Sequence, residues 1–290
     1  MDVFLQLTIS GLSNGMIYAL VGVGFVIIYK ASDVINFAQG EFLLLGAYFA
    51  FAFIVQFGLP WSLGVLAAMA MALVVGLLVE RLVLRPLIGE PVISMIMVTI
   101  GLSSVLRGVI NAVWGPRPRA FPEFIPSTRV TILGATVGLD RLITIGIAGL
   151  LLIILTLFFR YTKDGIAMRA IADDQQAALS MGISIKRVLA VAWGMASMSA
   201  AVGGIMIANL VGVSHDIISV GIRVFPVVIL GGLDSIPGAI LGGAVIGLLE
   251  AYTGGYVGHG LNTIVPFLVL LAVLMVRPYG LFGKEIIERV

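Results

Sequence analysis

Cysteine is absent from this chain of 290 residues, which excludes a disulfide framework and any thiolate metal site. Charge is scarce as well: Asp, Glu, Lys and Arg together make up 11% of the residues, against roughly 25% in an average soluble domain. With 60% hydrophobic residues and a mean hydropathy of +1.15, the composition is that of an integral membrane protein. The alternating segments of about ten residues that build a transmembrane barrel do not recur, whereas several apolar runs reach the roughly 20 residues a helix needs to cross the hydrocarbon core. Helices are therefore expected to do the crossing. A net charge of +2 gives no reason to expect nucleic acid, and the Arg and Lys residues are better read as topology determinants. No phosphate-cradling loop of the Gly-four-residues-Gly-Lys-Ser/Thr type occurs, nor a zinc-protease helix or a Gly-x-Ser-x-Gly elbow. His215 and His259 lack ligand spacing, so neither an enzyme nor a metal site is expected.

What is present is a series of apolar segments separated by short polar ones. Val3–Tyr29 can span; it follows Met1-Asp2 without a basic region, is too long for a signal segment and is expected to be retained. Phe42–Phe57, after the polar Lys30–Glu41, reads as a short or broken element. Further spans are expected from Pro60 to Val79, Pro91 to Val113, Arg141 to Phe159, Val188 to Val213, Ile236 to Tyr252 and Leu261 to Val276. Val220–Gly232, with Arg223 and Pro226, reads as half of a discontinuous element. The fold class is thus all-α, a polytopic membrane protein of about eight or nine transmembrane helices forming one domain over residues 1–290. Glu41 with Gly46-Ala47-Tyr48, and Glu250 with Ala251-Tyr252, suggest an internal repeat.

Arg81 and Arg85, and the cluster Arg160, Lys163, Lys186 and Arg187, read as cytoplasmic. Parity then puts the proline-rich Gly115–Asp140 loop outside despite its arginines, and the N-terminus outside. Arg277, Lys284 and Arg289 suggest a cytoplasmic C-terminus. Arg107 is expected to snorkel to the interface, and Glu80 to pair with a neighbouring Arg.

The longest charged island, Asp164–Gly182, is rich in helix-forming alanine and carries Arg169, Asp173, Asp174, Gln175 and Gln176, which cannot face lipid. It reads as a helix outside the bilayer within a cytoplasmic segment 161–185. Its polar residues fall on one side; Ala167, Ala170, Ala178 and Met181 form a small knob on the other.

Polar groups inside the apolar segments are the substrate-path candidates. Asn36, Gln39 and Glu41 fall at a helix break, where they either line a water-filled path or satisfy free backbone groups. Glu250 faces the same choice. Asn14 and Tyr18 share a helical face and either border a path or bond neighbouring helices, and Asn209 lies near the end of its span. Gly238, Gly242, Gly243 and Gly247 read as close-packing positions.

Three stretches carry a family resemblance. Gln176-Ala177-Ala178-Leu-Ser-Met-Gly182 resembles the Glu-Ala-Ala-three-residues-Gly loop by which permease subunits of bacterial ABC importers engage their ATPases, with Gln176 in place of Glu. Asn36-Phe37-Ala38-Gln39-Gly40-Glu41 is similar to the Asn-Phe-Ala-His-Gly-Glu signature of branched-chain amino acid permeases, with Gln39 in place of His. Gly231-Gly232-Leu-Asp-Ser235-Ile-Pro-Gly238-Ala239, continuing to Gly242-Gly243, Gly247 and Glu250, resembles that family's second-half glycine motif.

The resemblance implies a permease subunit of the bacterial plasma (inner) membrane, surrounded by lipid. Its implied partners are a second permease, two ATPase subunits that bind the ATP, and a solute-binding protein; no cofactor of its own is implied. Arg169, Asp173, Gln176, Ala177, Ala178 and Gly182 would couple to the ATPases. Leucine, isoleucine and valine are the leading substrates, with urea, short amides and aromatic acids carried by relatives. The alternative from the residues alone is a stand-alone ion-coupled transporter or channel using Glu41 and Glu250.

Overall fold

The computed structural model describes residues 2–132, 134–258 and 260–283; His259, Lys284 and Arg289 lie outside them. The chain is helical almost throughout: α1 (Asp2–Ser32), α2 (Gln39–Phe51), α3 (Trp61–Val79), α4 (Val92–Trp114), α5 (Leu139–Tyr161), α6 (Lys163–Asp173), α7 (Gln175–Ser180), α8 (Ile185–Val211), α9 (Ile217–Gly231), α10 (Ile236–Tyr252) and α11 (Val265–Val276). Helices α2, α3 and α10 each run on into a π-helical turn, at Ala52–Gln56, Glu80–Leu84 and Thr253–Val257. Seven of these rods are long and apolar enough to cross a membrane; α9 and α11 are shorter apolar helices.

Several boundaries differ from the sequence reading. The stretch expected to be short or broken after Glu41 is a continuous rod of 18 residues, Gln39–Gln56. The break comes before it: Asp33 adopts a left-handed backbone (φ 54°), and the Asn36 side chain accepts from Ala38 N at 3.0 Å. Asn36 therefore closes the turn that starts α2 and frees Gln39 and Glu41 to be helical. One reading holds in length: the segment read as too short for a simple crossing is a short apolar helix, α9, of 15 residues, about 22 Å long. Helix α11 starts only at Val265, with Pro266 in its first turn, and its 12 residues make it shorter than the span expected from Leu261. The 115–140 connection contains a small antiparallel hairpin, β1 (Arg129–Ile132) with β2 (Ala135–Gly138).

The chain falls into two compact units. One holds the described residues of Met1–Val26, Ile125–Leu152 and Arg223–Val290; the other holds Ile27–Phe124 and Ile153–Ile222. In the first, α1 and α10 run antiparallel with their backbones in contact. A Cβ on Gly15 would lie 2.6 Å from the Gly243 carbonyl oxygen, and one on Gly11 would lie 2.8 Å from that of Gly247. Small residues are what such an approach requires between membrane helices. The residues after α11 return to the end of α9, where Leu281 N donates to Leu230 O (2.8 Å) and Phe282 N to Gly231 O (3.1 Å).

In the second unit α8 lies between α2 and α3. Gly204 of α8 meets the Leu43 backbone, Gly46 of α2 meets Ala201, and Gly76 of α3 meets Ser197 and Trp193. Trp193 is buried, with its ring edge-on to Phe42 at 6.3 Å. Burial separates inner from outer helices: most of the apolar windows of α2 and α8 are buried (72% and 78%), against 28% for α3 and 22% for α4. The outer helices leave wide apolar faces that suit lipid.

Candidate functional site

Three polar constellations are built into this framework. The first, in the second unit, centres on Glu41 in the opening turn of α2, 1% exposed. Its Oε1 accepts from Ser103 Oγ at 2.8 Å and from Arg107 Nη2 at 2.7 Å, both on α4. Arg107 does not snorkel to the interface; it reaches inward to a buried carboxylate. Beside it, Asn36 Nδ2 donates to Gln39 Oε1 (3.0 Å), while the buried Gln39 Nε2 has no partner among the described residues. Thr99 Oγ1 on α4 lies 3.3 Å from both Phe37 N and Ile35 O and ties the turn to that helix.

The second constellation lies in the first unit. Tyr18 of α1 donates to Glu250 Oε2 of α10 at 2.7 Å, and Arg223 Nη1 of α9 sits 3.9 Å from the same oxygen. Glu250 is 7% exposed and its Oε1 has no partner among the described residues. Asn14, half-buried, precedes Tyr18 by one turn of α1. The two halves thus hold the same device, a buried Glu that faces a hydroxyl and an Arg from neighbouring helices.

The third is the polar segment between α5 and α8. It is not one helix but two. Asp174 is extended (φ −157°, ψ 107°), ends α6 and caps α7 by accepting from Gln176 N and Ala177 N, both at 2.9 Å. An Asp at an N-cap outcompetes helix continuation by satisfying free N–H groups, which the alanine content of the segment concealed. Ala178, read as part of an outward knob, is buried at 4% exposure. Gln176, Ala177 and Gly182 are exposed, as are Leu179 (50%) and Met181 (83%). Gly182 has φ 81° with open space around it, so it serves the turn and not a tight packing contact.

Arg169 Nη2 donates to Arg160 O at 3.0 Å and its guanidinium lies 6.0 Å from the Phe159 ring, which binds α6 back onto the end of α5. Asp164 pairs with Arg187 at 2.9 Å, and Asp173 follows Arg169 by one turn. A pocket of about 290 Å³ between Lys30, Asp33, Glu90, Ile171, Gln175 and Leu189 brings the end of α1, the α3–α4 turn and this segment to one end of the second unit. At the other end Arg119 and Val213 exchange backbone hydrogen bonds (2.9 Å), and Asn209 Oδ1 accepts from Phe124 N at 3.2 Å. Asn209 thus anchors a loop.

A family model described as branched-chain amino acid transport system, permease component, matches residues 7–274. The chain belongs to this family. It is 31% identical over 302 residues to the high-affinity branched-chain amino acid transport system permease protein LivH of Salmonella typhimurium, covering 99% of this chain and 98% of the relative. It is 31% identical over 301 residues to BraD of Pseudomonas aeruginosa, again covering 99% and 98%. A probable LivH of Methanocaldococcus jannaschii is 28% identical over 297 residues, covering 94% and 92%. No solved structure matches the chain. The permease is therefore a multi-pass component of an ABC-type transport system in the bacterial inner membrane, and such permeases are not themselves enzymes.

Sequence reasoning paired Glu80 with a neighbouring Arg, and Arg85 does hold it through two bonds of 3.0 and 2.8 Å. It missed Ser103, Arg107 and Arg223 as members of the two glutamate constellations. The signal was available: an ionisable residue inside an apolar helix implies a partner of opposite charge, and with Glu80 already paired to Arg85, Glu41 in the second unit and Glu250 in the first are buried glutamates that can supply it. In the permease, Tyr18→Phe is expected to lower stability by roughly 1.5–3 kcal/mol, the worth of a hydrogen bond to a charged group. Glu250→Ala should cost more, since it also strands Arg223. Thermal unfolding of the purified permease in detergent checks the order; equal midpoints for both variants and wild type would show that the constellation adds nothing to stability.

Proposed function

We propose that the permease is one membrane subunit of an ATP-driven importer for leucine, isoleucine and valine. It works beside a second permease, receives substrate from a solute-binding protein at the outer face, and is driven by two ATPase subunits that bind and hydrolyse the ATP. The observation that carries this reading is segment 161–185. It is a capped pair of short helices fastened to α5 and α8 by Arg169 and by the Asp164–Arg187 pair, with Leu179 and Met181 left exposed at its tip. An apolar tip held on a rigid polar base fits a groove on a soluble partner. Movement of that partner on ATP binding would reach α5 and α8 directly and switch access. Asn14, Tyr18, Asn36, Gln39, Glu41, Asn209 and Glu250 are proposed as polar groups along the path, and Arg169, Asp173, Gln176, Ala177, Ala178 and Gly182 as the coupling set.

The test is uptake into proteoliposomes holding the permease with its second permease and ATPases. Leucine accumulation that needs both ATP and the binding protein is expected. Accumulation driven by a proton gradient without the ATPases would replace the reading with an ion-coupled transporter. Uptake of urea, short amides or aromatic acids in place of leucine would keep the importer and change its substrate.

The orientation follows from the same reading, with Gly115–Asp140 outside and 161–185 inside. Ser127 and Ser180 are both exposed, and the chain has no native cysteine to confuse a label. Single cysteines at the two positions should react with an impermeant maleimide from opposite sides; labelling of both in intact cells would overturn this topology.

A further inference from the structure

The part of α4 left uncovered is divided in two. Val105, Val109 and Val113 form one ridge at i, i+4 and i+8, 61%, 48% and 62% exposed, and suit lipid. Ser104, Arg107, Gly108 and Asn111 form a second exposed row in the same turns, and Gly101 continues it. A Cβ on Gly101 or Gly108 would meet nothing within 4 Å. Arg107 stands 7 residues before the end of α4 at Trp114, about 10 Å inside the helix, and its side chain is 51% exposed.

A guanidinium half-exposed at that depth does not face lipid; it faces water or a partner. Glu41 holds it from the buried side through one bond. Its other N–H donors have no partner among the described residues. An anchored guanidinium with free donors is a preorganised receptor for a carboxylate, which it can grip with two parallel bonds. The hydroxyl of Ser104 and the amide of Asn111 supply further polar groups, and the glycines leave room beside them.

We propose that this row of α4 lines the water-filled substrate path, and that Arg107, oriented by Glu41, binds the carboxylate of the passing amino acid. The proposal rests on the importer reading and names the part of the substrate that the membrane domain reads. A second permease packed tightly on the row is the competing occupant, and the experiment separates the two.

The complete complex, with binding protein and ATPases, is reconstituted carrying Arg107→Gln, Arg107→Lys, Ser104→Trp, Val109→Trp or the charge-neutral double variant Glu41→Gln/Arg107→Gln. The double variant leaves no unpaired buried charge and guards against a folding defect. Arg107→Gln, Ser104→Trp and the double variant should assemble with all subunits and keep ATPase activity stimulated by the binding protein, while leucine uptake falls at least tenfold. Arg107→Lys keeps the charge without the fork and should raise the KM for uptake severalfold. Val109→Trp, on the lipid ridge, should transport as wild type does. Uptake within twofold of wild type in assembled Arg107→Gln overturns the proposal, and so does loss of the second permease from the Arg107→Gln or Ser104→Trp complex. A wild-type complex that imports no branched-chain amino acid overturns the importer reading itself.

Discussion

Gly204→Leu is expected to abolish the folded permease. Gly204 lies where α8 crosses α2, and a Cβ there would run into the Leu43 carbonyl, which is backbone and has no rotamer to move to. Inserting methylenes into a packed core ordinarily costs about 1–3 kcal/mol because neighbours shift; here the whole of α2 must move away from α8. That separation would also open the Gly46–Ala201 contact and disturb Trp193 against Phe42. The cost should exceed about 3 kcal/mol, at the severe end for a single substitution. Size-exclusion chromatography of detergent-extracted protein should show aggregate in place of a symmetric peak. Gly101→Leu, on open helix surface, is the matched control for stability and should elute as wild type does. A normal peak for Gly204→Leu would mean that α2 and α8 are not in backbone contact.

The second large effect concerns the tip of segment 161–185. Leu179→Glu with Met181→Glu should leave the permease folded, because both side chains are exposed and surface changes usually stay within about 0.5 kcal/mol. Charge at the tip should nonetheless remove the ATPases and reduce ATP-dependent uptake to about a tenth or lower. Gly182 refines the assignment. Its left-handed backbone costs a non-glycine residue roughly 1–2 kcal/mol, with Asn the most tolerant side chain there. Gly182→Asn should therefore couple nearly as wild type does, while Gly182→Val should impair coupling. Equal loss in both variants would place Gly182 in close contact with the ATPase and not merely in a turn. Co-purification of the ATPases and uptake, measured together, check both results; full uptake in the Leu179/Met181 variant would remove the segment from the coupling role.

Much of this molecule is legible in its residues. Long apolar runs dictate membrane helices, because an unpaired peptide group cannot sit in lipid. Glycine and alanine at helical spacing in α1, α8 and α10 announce helices that touch along their backbones, and the three family motifs identify a permease. Local sequence also holds the capping Asp174, although the surrounding alanines mask it until its extended backbone is seen. What spacing could not supply is which charge meets which. Glu41 and Arg107 are 66 residues apart, and Tyr18 and Glu250 are 232 apart; helical periodicity relates only residues one or two turns away. The partners of these buried glutamates, the exposed polar row of α4 and the burial of Ala178 were decided by helix packing. Desolvation makes a buried charge depend on whatever the fold brings within hydrogen-bonding distance, and only tertiary structure sets that distance.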